Sequence, residues 1–161
     1  MNKILGIDPG SRLMGYGIVA TDGNTERYIA SGCIRLDSNL PFIERIGQIQ
    51  PALSAIITKY MPNTVAIEEV FFAKNAASAL KLGQARGAAL SAVHQHGLAI
   101  YEYSARAIKL ALVGKGSANK SQVSFMVQHR LLLNGIPQVD AGDALAVALC
   151  HVQHAQITDG A

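Results

Sequence analysis

The stretch that most constrains the fold is residues 3–17, Lys-Ile-Leu-Gly-Ile-Asp-Pro-Gly-Ser-Arg-Leu-Met-Gly-Tyr-Gly. Ile4, Leu5 and Ile7 make a short apolar run of the kind found in strands covered on both faces, and Asp8-Pro9-Gly10 stops it with a turn. An acidic side chain is thereby delivered to a strand end. Glycines 10, 15 and 17 are read as letting the backbone turn and run back through Ile18 and Val19 as an antiparallel second strand. On this stretch alone Asp8 could equally be a turn former, which Asp is before Pro-Gly. Only partners elsewhere in the chain give it another meaning.

Downstream, residues 25–36 read as a third strand, with Tyr28, Ala30, Gly32 and Ile34 alternating against polar or small neighbours. Residues 41–60 carry apolar side chains at helical spacing, with Pro51 expected to kink the helix, and Met61-Pro62-Asn63 ends it. Residues 64–70, Thr-Val-Ala-Ile-Glu-Glu-Val, form a fourth, buried-type strand. Because a helix precedes it, a right-handed crossover should lay it parallel to the first strand. Asn75 caps a helix to about residue 96, residues 98–103 form a fifth strand, and Ser104 caps a short helix to Val113. Gly114-Lys115-Gly116-Ser117 is a loop; helices follow over 121–133 and from Asp140 to about Gln156. The expectation is an α/β fold: a five-stranded mixed sheet, three antiparallel strands then two parallel, with helices on both faces.

At 161 residues and 50% hydrophobic, the chain suits a single domain over 1–156, with 157–161 read as a frayed tail. No apolar run reaches the roughly 20 residues of a membrane helix, and no basic-then-apolar leader opens the chain. A cytoplasmic protein without a membrane role is expected. Cys33 and Cys150 lack metal-type spacing and are expected as reduced thiols.

Charge is segregated along the chain. Residues 1–73 carry a net −1, residues 74–130 a net +7 with Glu102 their one acid, and residues 131–161 a net −3. So lopsided a middle third points to a polyanionic partner.

In open α/β sheets, functional groups collect beyond the carboxyl ends of the parallel strands. Asp8 and one of Glu68 or Glu69 sit there; with both faces of the strand covered, alternation does not choose between the two glutamates. Asp140-Ala141-Gly142-Asp143 adds two carboxylates three apart, on one face of a helix's first turn. Taken alone such acids serve the helix dipole. Converging on one spot, they would repel and hold protons unless cations neutralised them. An all-oxygen donor set suits Mg²⁺ or Mn²⁺ rather than Zn²⁺, and a pair of such ions supports in-line attack at phosphorus.

These residues resemble the RuvC-type Holliday junction resolvases, of the ribonuclease H-like fold. The likeness runs along nearly the whole chain: Gly-Ile-Asp-Pro-Gly-Ser-Arg (6–12), Gly-Tyr-Gly (15–17), Ser-Gly-Cys-Ile-Arg (31–35), Ala-Ile-Glu-Glu-Val-Phe (66–71), Ala-Lys-Asn-Ala (73–76), Ser-Ala-Leu-Lys-Leu-Gly-Gln-Ala-Arg-Gly (78–87), Gly-Ser-Ala-Asn-Lys-Ser-Gln-Val (116–123) and Asp-Ala-Gly-Asp-Ala-Leu-Ala (140–146). The resemblance implies that Asp8, Glu68, Asp140 and Asp143 are the catalytic, metal-binding acids, and it selects Glu68 over Glu69. Glu69 stands where the family often has Gln. It further implies a homodimer that nicks two opposed strands of four-way junction DNA symmetrically, two Mg²⁺ per site with Mn²⁺ able to substitute, and a RuvA–RuvB-type branch-migration complex as partner.

By the same resemblance Phe71 stacks on an unpaired junction base, and Lys109 and Lys120 lie near the scissile phosphate. Lys74, Lys81, Arg86 and Lys115 complete the expected DNA-binding set from the basic third. Lys120 also opens a helix after a Gly-rich loop, where backbone amides favour phosphate. That loop lacks the Gly-x-x-x-x-Gly-Lys-Ser/Thr order of a nucleotide-binding loop, and no nucleotide cofactor is expected. Two other readings remain at this level. Asp8-x-Gly10 followed by Gly15 is similar to the phosphate loop of the actin and sugar-kinase ATPases, which close two lobes where this chain has length for one. A non-catalytic junction-binding module would not need Asp140 and Asp143.

Overall fold

The computed structural model describes residues 1–70 and 75–159. In chain order the elements are β1 (Asn2–Asp8), β2 (Leu13–Thr21), β3 (Glu26–Arg35), α1 (Phe42–Ile46), α2 (Ile49–Tyr60), β4 (Thr64–Glu68), α3 (Ala76–Gln95), β5 (Ala99–Tyr103), α4 (Ala105–Val113), α5 (Lys120–Arg130) and α6 (Val139–Asp159). The strands form one sheet in the order β3-β2-β1-β4-β5. β1, β2 and β3 are an antiparallel meander, whereas β4 runs parallel to β1 and β5 parallel to β4. The mixed sheet expected from the pattern is therefore present.

Alternation along the buried strands sorts side chains between two cores. Leu5, Ile7, Val65 and Ile67 face Leu53 and Ile57 of α2 and Ala85 and Ala89 of α3. Ile4 and Ala66 face the other way, with Ile108 and Leu112 of α4 and Leu145 and Leu149 of α6. Each fully buried Leu or Ile side chain stabilises by about 1.5–3 kcal/mol, so both helical layers are firmly held to the sheet. Two polar ties reinforce the second layer. Arg130 of α5 is ion-paired with Glu26 of β3, and the Tyr103 hydroxyl meets Nδ1 of His151 at 2.7 Å.

Several boundaries differ from those expected. The helix anticipated over 41–60 is two, broken at Gly47 and Gln48, and Pro51 does not kink it. Pro51 occupies the first turn of α2, where its missing N–H has no partner to lose. β4 stops at Glu68 rather than residue 70, although the Glu69 N–H still donates to the Tyr103 carbonyl at 2.8 Å. α5 begins at Lys120 behind an Asn119–Gln122 capping box and ends at Arg130, because the chain turns through Leu132 at φ 54°. The terminal helix runs to Asp159 rather than about Gln156.

The glycines of the opening stretch also act differently from the expectation. Only Gly10 lies in the turn; Gly15 and Gly17 are inside β2, and neither has positive φ. A Cβ on Gly6 would overlap the Ala144 carbonyl, one on Gly15 the Asp140 carbonyl, and one on Gly17 would come within 2.7 Å of the Leu145 side chain. These three positions let α6 lie against the sheet at backbone contact.

Candidate active site

That close approach assembles the site. Asp8 is the last residue of β1, on the same strand face as Ile4, toward α6, and it pairs across the ladder with Gly15. Because Gly15 admits the main chain at Asp140, the first turn of α6 comes down beside Asp8. Asp143, one turn on, lies on the same helix face. Asp8, Asp140 and Asp143 each place a carboxylate oxygen so that all three lie within 4.8 Å of one another.

Glu68 ends β4 beside β1. Its parity is that of Ala66, whose side chain packs on the α6 side, while Val65 and Ile67 face α2 and α3. The packing thus separates the two glutamates that periodicity could not. Glu68 lines a cavity of about 640 Å³ together with Asp8, Asp140, Asp143, Lys109 and Lys120; Glu69 is exposed and does not line it.

Electrostatics agrees with the geometry. Burial, then the neighbouring Asp143, Glu68 and Asp140 carboxylates, push Asp8 up to about 8, against the pull of Lys120. Burial and then Asp143 raise Glu68, with Lys120 and Lys109 opposing. Burial also raises Asp143, Lys120 opposing. Anionic groups held out of water against one another retain protons until a cation offsets the repulsion. The donor set is oxygen only, with neither thiol nor imidazole, which fits a hard divalent ion such as Mg²⁺ or Mn²⁺.

The other expected residues are distributed more widely. Lys109 of α4 and Lys120 at the start of α5 reach the cavity. Lys115 is exposed in the loop before α5 and does not line it. Lys81 and Arg86 are on α3, whose core contacts are on the sheet face opposite α6; the Lys81 ammonium lies 5.7 Å from the Phe42 ring centroid, and Arg86 is 3.5 Å from the Glu102 carboxylate. Phe71 and Lys74 lie outside the described residues.

Two features had no sequence reading. Gly6 shares with Gly15 and Gly17 the role of admitting α6, and its spacing from Asp8 on the same strand face was the available signal. Gln138 caps α6, its side chain accepting from the Ala141 N–H at 3.0 Å. Gln is not among the favoured capping residues, so nothing in its identity announced this.

The family model described as crossover junction endodeoxyribonuclease RuvC matches residues 4–151. The chain belongs to the RuvC family. A RuvC of Vibrio cholerae is 57% identical over 152 residues, covering 94% of this chain and 87% of the relative, and one of Vibrio vulnificus is 55% identical over the same shares. Among solved structures, RuvC of T. thermophilus in complex with a Holliday junction substrate superposes with a TM-score of 0.93 at 34% identity, covering 98% of this chain and 97% of that one. The yeast mitochondrial Holliday junction resolvase, at 12% identity and a TM-score of 0.63, shares the fold. All four acids and both cavity lysines lie within the span that the RuvC model matches.

Proposed function

We propose that this RuvC-family chain resolves four-way DNA junctions by paired, symmetric nicks in two opposed strands, with Asp8, Glu68, Asp140 and Asp143 as its catalytic acids and Mg²⁺ as its cofactor. The observation that carries the reading is the meeting of Asp8, Asp140 and Asp143 within 4.8 Å, in a cavity that also takes in Glu68, Lys109 and Lys120. Two Mg²⁺ per site, or Mn²⁺ in their place, would supply an activated water and neutralise charge on the attacked phosphate. The carboxylates hold the cations. Lys109 and Lys120 attract the phosphodiester, and the N-terminal end of α5 at Lys120 adds the favourable end of its dipole.

One chain carries one such cluster among its described residues, so two nicks in a two-fold substrate call for two copies. A homodimer acting in the cytoplasm with a RuvA–RuvB-type branch-migration complex follows from the family resemblance. Phe71 and Lys74, just after the strand that carries Glu68, and Lys81, Arg86 and Lys115 are assigned to the DNA arms.

The deciding experiment incubates the protein with a synthetic four-way junction and with linear duplex, in Mg²⁺, in Ca²⁺ and without metal. Paired nicks at symmetric positions in the junction, in Mg²⁺ alone, are expected. Equal cutting of linear duplex, or full activity without metal, would reject the reading.

A further inference from the structure

We propose that Gln138 is a positioning residue that holds the Asp140 carboxylate in the orientation needed to bind the divalent ion; this rests on the metal-dependent reading above. Gln138 immediately precedes α6, and its main-chain carbonyl accepts from the Gly142 N–H at 2.8 Å. Its side-chain Oε1 accepts from two donors, the Ala141 N–H at 3.0 Å and the Cys33 thiol of β3 at 2.7 Å. A main-chain N–H can only donate, so the amide cannot flip without setting N–H against N–H. The amide nitrogen is therefore directed away from Ala141, and it donates to Oδ2 of Asp140 at 2.9 Å.

The arrangement does more than cap a helix. Ser, Thr or Asp would satisfy the Ala141 N–H at least as well but carry no amide donor, and Asn holds its amide on a side chain one methylene shorter. Gln138 is exposed, so core packing does not explain it either. What the longer side chain adds is a hydrogen bond that engages one oxygen of Asp140 and restricts rotation of the carboxylate beside Asp8 and Asp143. Hydrogen bonds behind a metal-binding carboxylate fix its orientation, and their loss typically weakens metal binding about 10–100-fold. Cys33 contributes from the far side of the same amide, linking β3 to the site.

The test separates the cap from the positioning bond. Gln138→Ser keeps a capping oxygen and loses the amide; Gln138→Ala loses both. The readouts are Mg²⁺ affinity by titration calorimetry, metal-free melting temperature, and the Mg²⁺ dependence of junction cleavage. Both variants should bind Mg²⁺ about 10–100-fold more weakly, with cleavage recovering at high Mg²⁺, while only Gln138→Ala melts earlier. Wild-type Mg²⁺ affinity in Gln138→Ser would overturn the inference and leave Gln138 a helix cap. Failure of the unaltered protein to bind Mg²⁺ would instead reject the metal-dependent reading itself.

Discussion

Gly15 of β2 lies directly beneath the main-chain carbonyl of Asp140, so close that a methyl group on Gly15 would overlap that oxygen. The obstacle is backbone on a 21-residue helix whose residues 144–152 are all buried, and it cannot swing aside as a side-chain tip could. Gly15→Ala should therefore lift the start of α6, destabilising the protein by about 2–3 kcal/mol and moving Asp140 away from Asp8. Chemical denaturation would read the first effect. Mg²⁺ titration would read the second, and wild-type values for both would show that α6 tolerates the shift.

The carboxylate cluster makes a prediction about stability against pH. In the metal-free protein Asp8 titrates near 8 rather than at its ordinary 3.8, so the folded state retains a proton that the unfolded chain releases. A group raised on folding contributes stability at low pH and loses it as pH climbs from about 4 through about 8. Asp8→Asn removes the ionisable group, and in chelator at pH 8 it should be more stable than the unaltered protein by on the order of 1–3 kcal/mol. That range is well below the full linkage value because water and counter-ions relieve part of both the burial cost and the repulsion. The same variant should bind junction DNA and fail to cut it. Lower stability of Asp8→Asn in chelator would mean that burial and the neighbouring carboxylates do not raise Asp8 in the folded state.

How much of this was legible in the sequence follows from which interactions are local. The strand–turn–strand opening, the crossover to β4 and the capped helices were readable because periodicity and turn chemistry act within a few residues. The acids were readable as strand-end and helix-start residues, but their meeting depends on α6 touching β1 and β2 through Gly6, Gly15 and Gly17. A glycine that admits a helix looks in sequence like one that makes a turn, which is why local rules place Gly15 and Gly17 in the turn with Gly10. Pro51 reads as a kink for a similar reason, since its effect depends on which residue begins the helix. Gln138 illustrates the limit most sharply. Its three side-chain partners include Cys33, 105 positions away, and no local rule reaches that far.

Glu68 and Glu69 are adjacent acids with opposite fates, one lining the cavity and the other exposed beyond the strand. Glu68→Gln should lower cleavage by about 10²-fold or more, the scale for losing one precisely placed charged group in a reacting site. Glu69→Gln should stay within about threefold, since exposed charges contribute weakly. Single-turnover cleavage of a junction at fixed Mg²⁺ compares the two directly. Equal losses would mean that strand parity at the end of β4 does not select the working acid.

Lys120 lowers the proton affinity of Asp8, Glu68 and Asp143 and stands at the head of α5, so its removal should be felt twice. Without its charge the three acids hold protons more tightly, and the acidic limb of the rate–pH profile at limiting Mg²⁺ should move to higher pH. If Lys120 also contacts one DNA phosphate, the slope of log affinity against log salt should shrink by about 0.9 in Lys120→Ala. An unmoved pH profile would place Lys120 outside the electrostatics of the cluster.

At the other end of α6, His151 is buried beneath Tyr101, whose ring stacks on it at 4.5 Å, and it meets the Tyr103 hydroxyl at 2.7 Å. Burial, and then His154, hold its pKa below the usual 6.5. The sign is opposite to that of Asp8: the unfolded chain takes up a proton near pH 6.5 that the folded state resists, so this site loses stability as pH falls below that value. Tyr103→Phe removes the hydroxyl from Nδ1 and should destabilise by about 1–2 kcal/mol at pH 7.5. The hydroxyl donates to a neutral Nδ1 or accepts from an Nδ1 that carries its hydrogen, and pH separates the two: donation to a neutral Nδ1 makes the penalty of Tyr103→Phe narrow as pH is lowered toward 5. Urea unfolding of both proteins across that range, in chelator so that the carboxylates contribute equally to each, would measure the difference. A penalty that stayed constant with pH would mean that the hydroxyl does not donate to a neutral Nδ1 and instead accepts from it or serves as packing between β5 and α6.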